Sequence, residues 1–494
     1  MSYNAVLIIV LAIYIVLNLC VGLLAAHRQG KNDFVRDYFI GGRSMGGLVL
    51  AMTLVATFTS ASSFIGGPGV AFSKGLSWVY LSMIQVPTAF IILGIMGKKL
   101  AVISRETGAV TITDFLRMRY RSPAVVWISS ICMLLFFLAQ MMSQFIGGAV
   151  LFQSITGLPY LYGLILFGLV VIVYTAIGGF RAVVTTDTIQ GIVMVIGSFI
   201  LLYTVVHQAG GFTPMIRKLN EVNPNWADIT SGGSTPKAMI MSFWALVGIG
   251  VLGLPQTAVR NMGFRDTKAL HDAMIYGTVV VGLIMLVMHI SGVFAPAILD
   301  PSSVKNTDYV IPALVTKYMD PAVAGLFIAA PLAAVMSTVS SLLILASATI
   351  VKDLYLNYIV KSQDKRKELL KSRKIAIVSW VTTLVIGSIV FVLTIYPPDI
   401  IVWINLFAMG GLECAFFCPI VFGLFWKKAN KNGCILSSLC GVISFLVISN
   451  TGFSLFGTMA IVPSMIISVI TFVIGSFLGG KNETLCRDAV TANR

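Results

Sequence analysis

Charged residues are scarce in this chain of 494 residues: they make up 11% of it, against 57% for apolar residues. Soluble domains carry roughly 25% charged residues, so the composition excludes an ordinary soluble protein. The chain also lacks a Gly-rich phosphate loop, an HExxH pair and a nucleophile elbow, and its 7 cysteines show no metal-ligand spacing. These absences argue against an ATP-driven pump, and we expect no enzymatic activity.

Basic residues outnumber acidic residues by 34 to 19, but their distribution argues against nucleic-acid binding. Of the 34, 28 fall in every second loop between apolar segments or in the tail, among them the loop 257–272, and none is expected inside a span. By the positive-inside rule, this asymmetry places the N-terminus outside and the C-terminus in the cytoplasm. The basic residues of the opposite loops are Lys74, Arg217, Lys218, Lys237, Lys305 and Lys317.

Long apolar runs are what the chain has in abundance. About 20 apolar residues suffice to cross a bilayer, and the runs predict an all-α polytopic membrane protein with about thirteen transmembrane helices. An odd number of spans puts the termini on opposite sides, in agreement with the loop charges. We expect the lipid bilayer as the surroundings of the chain and no obligate protein partner.

Residues 45–71 form an unusual span, because hydroxyl residues crowd its middle and Gly66-Gly67-Pro68-Gly69 follows directly. Glycine and proline disfavour a continuous helix, so a break is predicted there. In lipid, a broken backbone is tolerated only inside protein or beside a watery cavity. An interrupted span of this kind is typical of a transporter's binding site.

A second interrupted span, 238–256, is rich in glycine, contains Pro255 and lies five spans later. Two five-span halves that each open on a broken helix indicate an inverted repeat, although two unrelated kinked helices are the alternative. The repeat predicts an N-terminal helix with a cytoplasmic loop, a first repeat, an extracellular loop, a second repeat, and two C-terminal helices with a cytoplasmic tail. The boundaries are 1–44, 45–207, 208–236, 237–426 and 427–494.

Two helices carry a stripe of small and hydroxyl residues at helical spacing. The stripe of the first broken span is Ala56, Thr59, Ser60 and Ser63, and that of the ninth span is Ala334, Ser337 and Thr338. Carbonyl and hydroxyl oxygens at an unwound helix can hold a hard cation such as sodium. Ordinary helix packing explains either stripe by itself.

Five other residues inside or near the spans need an explanation. Gln140 and Gln144 could bind a polar solute or join two helices, and Trp244 could close over a solute or anchor the chain at the membrane interface. Asp187 could cap the sixth span or form the exit station of a cation. Glu413 lies well inside a span, where a carboxylate is by default a functional hypothesis.

The run from Tyr174 to Ala182, preceded by Gly157 and Tyr160, resembles the signature of the sodium:solute symporter family. The segments 38–44, 186–190 and 333–341 also resemble family segments. Four further segments resemble those of family members that transport pantothenate: 50–69, 253–260, 330–343 and 405–426.

The resemblance implies a LeuT-type core of spans two to eleven with a 5+5 inverted repeat. It also implies that Asp187 lies on the inward exit path of the ion. The implied sodium site consists of the carbonyls of Ala56, Thr59 and Ala334 with the hydroxyls of Ser337 and Thr338.

The function predicted in this way is sodium-coupled uptake of a small polar organic solute, pantothenate by resemblance, by alternating access across a plasma membrane of the bacterial inner-membrane type. Sodium is the co-transported ion. Phe58 stands where the proline transporters of the family carry an aspartate, which disfavours proline. The alternatives are another solute of the family (a monocarboxylate, an amino acid or a sugar), an ion channel, or a membrane-embedded enzyme. The predicted solute contacts are Ser60, Ser62, Ser63, Gln140, Gln144 and Trp244.

Overall fold

The structure is a computed structural model that describes residues 3–27, 38–40, 43–304, 306–360, 362, 364, 368–369, 373–397 and 401–478. The pair Gly41-Gly42 and residues 479–494, which belong to the predicted cytoplasmic tail, lie outside the described residues. Within them the regular structure is helical, and one isolated bridge joins Met45 to Phe264. The predicted all-helical class is therefore confirmed.

Seventeen principal helical elements make up the described part of the chain. In the first half they are α1 Tyr3–His27, α2 Gly47–Phe58, α3 Ser62–Lys74, α4 Leu76–Thr107, α5 Ile112–Tyr120, α6 Pro123–Thr156, α7 Tyr160–Gln208 and α8 Phe212–Val222. In the second half they are α9 Lys237–Gly253, α10 Pro255–Met262, α11 Thr267–Ala297, α12 Val310–Tyr318, α13 Pro321–Ile359, α14 Arg373–Leu393, α15 Ile401–Phe425, α16 Lys431–Thr451 and α17 Ile461–Leu478.

Ten of the described helices are long and apolar enough to cross a membrane, and two bent pairs raise that number to twelve. The first pair, α2 and α3, bends by 69°, and the second pair, α9 and α10, bends by 50°. In the 49 residues of α7, Gly179 has φ 60° and ψ −169°, which is not helical. A side chain at Gly179 would also lie 2.4 Å from the Tyr38 ring, so this position requires glycine.

The ninth predicted span, α13, is the centre of the fold. Its apolar stretch is buried throughout, and it packs on α2, α6 and α7. Gly197 of α7 brings the two backbones close together, because a Cβ there would lie 2.2 Å from the Cβ of Ala330. Since α13 touches α2 directly beside its break, its hydroxyl stripe faces the interrupted helix.

The prediction that Gly66-Gly67-Pro68-Gly69 breaks the first span is wrong in position. The chain leaves the helix at Thr59, and residues 67–74 are α-helical again. The glycines instead permit close packing, because a Cβ on Gly67 would lie 2.3 Å from Nε2 of His289 and one on Gly69 would lie 2.1 Å from the carbonyl oxygen of Thr307. Pro68 is tolerated because it occupies the first turn of the resumed helix.

The loop charges also need a correction at two places. Arg260 belongs to α10, inside the second bent pair, and its side chain is fully buried. Lys352 and Asp353 at the end of α13 are buried as well, and Nζ of Lys352 lies 2.7 Å from Oδ1 of Asp114. Loop assignment from hydropathy failed here because each charge has a buried partner, which sequence alone does not reveal.

Candidate functional site

The first break is built by hydroxyl residues that compete for the backbone. Thr59 ends α2 with φ −80° and ψ 121°, an extended conformation. Its hydroxyl donates to the carbonyl of Val55 at 2.8 Å, and the Ser60 hydroxyl accepts from the amide of Ser62 at 3.2 Å. Such local bonds offer the backbone an alternative to the helical ladder, so the chain turns between α2 and α3.

Two hydroxyls of α13 meet the carbonyl oxygens of α2 at this break. The Ser337 hydroxyl donates to the carbonyl of Ala56 at 2.9 Å, and the Thr338 hydroxyl donates to that of Thr59 at 3.2 Å. Both hydroxyls also lie close to the carbonyl of Ala334, at 3.0 and 2.9 Å. All five residues are buried. The structure thus brings together the five oxygens that the sequence predicted, and oxygen ligands of this type suit a hard cation.

A small cavity lies beside the break. Three predicted solute contacts, Ser60, Ser62 and Ser63, line it. Further lining residues from the other elements are Phe58, Trp78, Gln85, Phe243, His289, Asn405 and Met409.

The other three predicted solute contacts do not line this cavity. Trp244 is 42% exposed on the outer side of α9, and its neighbour Phe243 faces the cavity in its place. Gln144 accepts the amide of Ala61 at 2.8 Å, and Gln140 accepts a side-chain N–H of Gln256 at 3.2 Å. The two glutamines therefore join α6 to both bent pairs, which was the alternative to solute binding.

Asp187 does not cap a helix, because it lies two turns beyond Gly179 within α7. Its carboxylate accepts the hydroxyl of Thr53 at 2.6 Å and lies 3.7 Å from Nη2 of Arg260. Arg260 also donates to Ser341 at 2.8 Å. Asp187 and Arg260 are both fully buried. The pair thus ties α7 and α10 together beneath the first break.

Sequence reasoning missed Arg260 and several cavity residues. A signal for Arg260 was present, since Pro255 at the first turn of a helix places Gln256 and Arg260 one turn apart on one face. Nδ1–H of His289 donates to the carbonyl of Met285 at 2.7 Å, and the His289 ring also lines the cavity. No local pattern marks Trp78 or Asn405, whose place depends on tertiary packing.

Asp308, in the loop between α11 and α12, links this region to the start of α15. It is 4% exposed and accepts the amide of Ile401 at 3.2 Å. Burial raises the pKa of Asp308 to about 6, although the bond from Ile401 favours the charged form. In the unfolded chain the pKa of an aspartate carboxyl is about 4. The stability that Asp308 contributes is therefore fully present below about pH 4 and is lost as the pH rises through about 6.

We expect the melting temperature of the detergent-solubilised protein to fall between about pH 4 and pH 6.5, and to fall less in Asp308→Asn, which cannot ionise. Differential scanning fluorimetry at closely spaced pH values measures this. Equal pH dependence in the parent and in the variant would contradict the contribution of Asp308.

Comparison with known proteins identifies the family. The model of the sodium:solute symporter family matches residues 38–441. The sodium/pantothenate symporter of Haemophilus influenzae is 44% identical over 99% of this chain and 100% of that protein, and the one of Escherichia coli is 43% identical over 96% of each. Among solved structures, a Na⁺-coupled sialic acid symporter in a substrate-bound outward-open state is similar with a TM-score of 0.79.

The sialic acid symporter is 19% identical, and the match covers 98% of this chain and 100% of that one, so it supports the fold. The family match spans both bent pairs and the central helix α13. The chain therefore belongs to the sodium:solute symporter family, as a multi-pass membrane protein that takes sodium as its co-transported ion.

Proposed function

We propose that the protein imports a small polar organic solute, pantothenate, together with sodium by alternating access. The observation that carries the proposal is the convergence of five oxygens from α2 and α13 at the first break, next to a cavity lined by three serines. Identity of 43–44% to two sodium/pantothenate symporters over nearly the whole chain supports pantothenate. Another solute of the family (a monocarboxylate, an amino acid or a sugar) is the second candidate.

The proposed topology has thirteen spans, with the N-terminus outside and the C-terminus in the cytoplasm. It adds one span to the twelve above because α7, at about 1.5 Å per residue, is far longer than a bilayer of about 30 Å is thick. We divide α7 at Gly179, where the helical conformation is interrupted.

The proposed inverted repeat comprises residues 45–207 and 237–426, flanked by 1–44, 208–236 and 427–494. Each half opens on a bent pair. The bonds from Gln144 to the first pair and from Gln140 to the second support the repeat, because one turn of α6 separates these glutamines. The two breaks therefore lie at a similar depth.

The proposed sodium ligands are the carbonyls of Ala56, Thr59 and Ala334 and the hydroxyls of Ser337 and Thr338. In the present geometry both hydroxyls donate to these carbonyls. When sodium binds, the hydroxyls turn their lone pairs to the ion and their protons elsewhere. Sodium then joins α2 to α13 and stabilises the adjoining cavity. Each positive charge that crosses the membrane without a compensating negative charge gains about 2.3 kcal/mol per 100 mV.

The proposed solute site is the cavity beside the sodium ligands. The Ser62 hydroxyl and the Asn405 side-chain oxygen are buried there without a hydrogen-bond partner in the described part of the chain. Buried polar groups of this kind require a partner, which the amide and hydroxyls of pantothenate can supply. No Lys or Arg is among the lining residues, so the solute carboxylate depends on hydroxyls and on the nearby sodium charge. Ser60 and Ser63 lie between the two sites.

Asp187 is proposed as a station on the inward exit path of the ion. It accepts a bond from Thr53, two turns before the break on α2, and so lies beneath the sodium ligands. Its Oδ1 atom has no hydrogen-bond partner among the described residues. An ion that moves inward from the five oxygens would therefore reach Oδ1 of Asp187. The positive charge of Arg260 would then repel the ion from this pair.

Uptake into proteoliposomes tests the proposed function. We expect labelled pantothenate to accumulate under an inward sodium gradient and not under a matched potassium gradient. Unlabelled pantothenate should compete and proline should not, because Phe58 lines the cavity. Sodium-dependent uptake of a different family solute in place of pantothenate would overturn the solute assignment.

Two other classes of protein give different results in the same vesicles. A channel would conduct sodium without solute, and an enzyme would turn over pantothenate without any gradient. Either result would overturn symport itself.

A further inference from the structure

Glu413 is a fully buried carboxyl without a partner. It lies halfway along α15, and neither of its oxygens has a hydrogen-bond partner in the described ranges. No Lys, Arg or His nitrogen of those ranges lies within 4.0 Å of it. Because nearly all buried polar groups are paired, an orphaned carboxyl requires an explanation.

The carboxyl lies against the unwound part of the second bent pair. Gly250 begins the 3-10 turn of α9, and a Cβ there would lie 2.5 Å from Oε2 of Glu413. A Cβ on Gly253, one turn further, would lie 2.8 Å from the backbone nitrogen of Phe417. The two glycines therefore allow α15 to sit directly on the irregular backbone, and Glu413 is at the centre of that contact.

Glu413 also shares a helix face with the cavity. Asn405 and Met409 line the cavity, and residues spaced by four lie on one face of a helix. Glu413 is the next position of this series and lies about 6 Å beyond Met409 along α15. A movement that opens the cavity past Met409 would therefore bring water to the carboxyl.

No charged group of the neighbouring elements faces Glu413. The elements α6 and α17 contain no charged residue, and on α5 Asp114 is held by Lys352. Thiols are the remaining titratable groups on α6, α15 and α16. The charged residues of the packed elements are Lys74, Asp114, Arg117, Arg119, Lys237, Arg260 and Lys431, and the thiols are Cys132, Cys414, Cys418, Cys434 and Cys440.

An ionised carboxylate in these surroundings would be a buried charge without a partner, which folded proteins avoid. The carboxylic acid avoids that charge, and the bound proton is the simplest cation that fits the closed contact. Sodium would need further oxygen ligands around the carboxylate. Among the described residues, no group of three or more His, Cys, Asp or Glu side chains that could hold a metal ion occurs here.

We propose that Glu413 is a proton-binding site that controls how the second bent pair moves against α15. With the proton bound, the neutral carboxyl lets α15 close on Gly250, as in this structure. When the two elements separate and water enters, the carboxyl passes its proton to water. Its negative charge then opposes closure until a proton is taken up again. This inference rests on the proposed symport, because its readout is the transport rate.

The test is the pH dependence of uptake in proteoliposomes at a fixed inward sodium gradient. In the parent, the rate is expected to fall as the pH rises from 6 to 9, by up to about tenfold per unit, the limit for one proton. In Glu413→Gln, which has the same shape and no proton to lose, the rate is expected to stay near the parent's low-pH value. Glu413→Asp should retain a pH dependence. The surface control Glu221→Gln, on an exposed side chain, should match the parent.

A second pair of variants keeps the test decisive if Glu413→Gln does not fold. Gly250→Ala adds a methyl group that would lie 2.3 Å from the carbonyl oxygen of Ala245 and 2.5 Å from Oε2 of Glu413. Both contacts push the turn away from α15, so water reaches the carboxyl more easily, and the fall in rate should move to lower pH. Gly253→Ala disturbs the same helix contact at Phe417 without touching the carboxyl, and it should shift the fall in rate less than Gly250→Ala does.

Several results would overturn the inference. Sodium-dependent uptake with the same pH profile in the parent and in Glu413→Gln would do so and would leave the proposed function intact. A raised sodium requirement in Glu413→Gln without a change in pH profile would indicate a second sodium site instead. Absence of sodium-dependent uptake in the parent would overturn the proposed function itself.

Discussion

Arg260→Ala is expected to destabilise the protein by about 3–5 kcal/mol, the usual cost of removing one partner of a buried ion pair. The reason is that Asp187 would lose the guanidinium that now lies 3.7 Å away and would stay fully buried either as an unpaired charge or as a protonated acid. Four further bonds of Arg260 would also be lost, to the carbonyl and hydroxyl of Thr53, to Gln256 and to Ser341. The unfolding midpoint of the detergent-solubilised protein measures the effect.

A double variant separates charge from packing. In Arg260→Met with Asp187→Asn, no buried charge remains at this place and the stem of the arginine is replaced. Its midpoint should lie well above that of Arg260→Ala, because the neutral pair needs no counter-ion. A free energy of unfolding of Arg260→Ala within about 1 kcal/mol of the parent's would contradict the role of the pair.

Removal of the Ser337 or Thr338 hydroxyl is expected to raise the sodium concentration for half-maximal uptake at least about tenfold. A bond to a charged group contributes about 1.5–3 kcal/mol, and every 1.4 kcal/mol is a factor of ten in affinity. Ser337→Ala and Thr338→Ala each remove one of the two hydroxyls that meet the carbonyls of α2. Initial uptake rates over a range of sodium concentrations measure the change.

Two controls belong to this experiment. Thr338→Ser keeps the hydroxyl and should restore the parent's sodium requirement. Ser347→Ala removes a hydroxyl from the same helix that donates to Ser379, away from the break, and should leave that requirement unchanged. A normal sodium requirement in both Ser337→Ala and Thr338→Ala would show that these hydroxyls do not bind sodium.

The oxygens at the first break were predictable because two kinds of information agree on them. Ser337 and Thr338 lie at a spacing that puts them on one helix face, and the family resemblance pairs that face with Ala56 and Thr59. The position of the break was harder to predict. Gly67 and Pro68 have the lowest helix propensities of the span, but propensity is a weak prior that tertiary packing overrides. Here the glycines bring α3 close to its neighbours, while Thr59 leaves the helix.

Buried polar partners lie outside what one sequence can reveal. Arg260 appeared in a basic loop, and only the fold brings it to Asp187, which is 73 positions earlier in the chain. Gln140 and Gln144 were visible as a polar face inside an apolar helix. Whether that face binds a solute or the protein's own backbone depends on which element lies opposite, and hydropathy contains no such information.

The bonds of α6 have a mechanical consequence. The single helix α6 holds the backbone of the proposed ion-binding turn through Gln144 and the start of α10 through Gln140. A tilt of α6 would displace both hydrogen-bonded contacts together, since Gln140 and Gln144 are only one turn apart. The two bent pairs also contact each other directly through Arg260 and Thr53, so α6 gives them a second connection through which a shift of one pair would move the other.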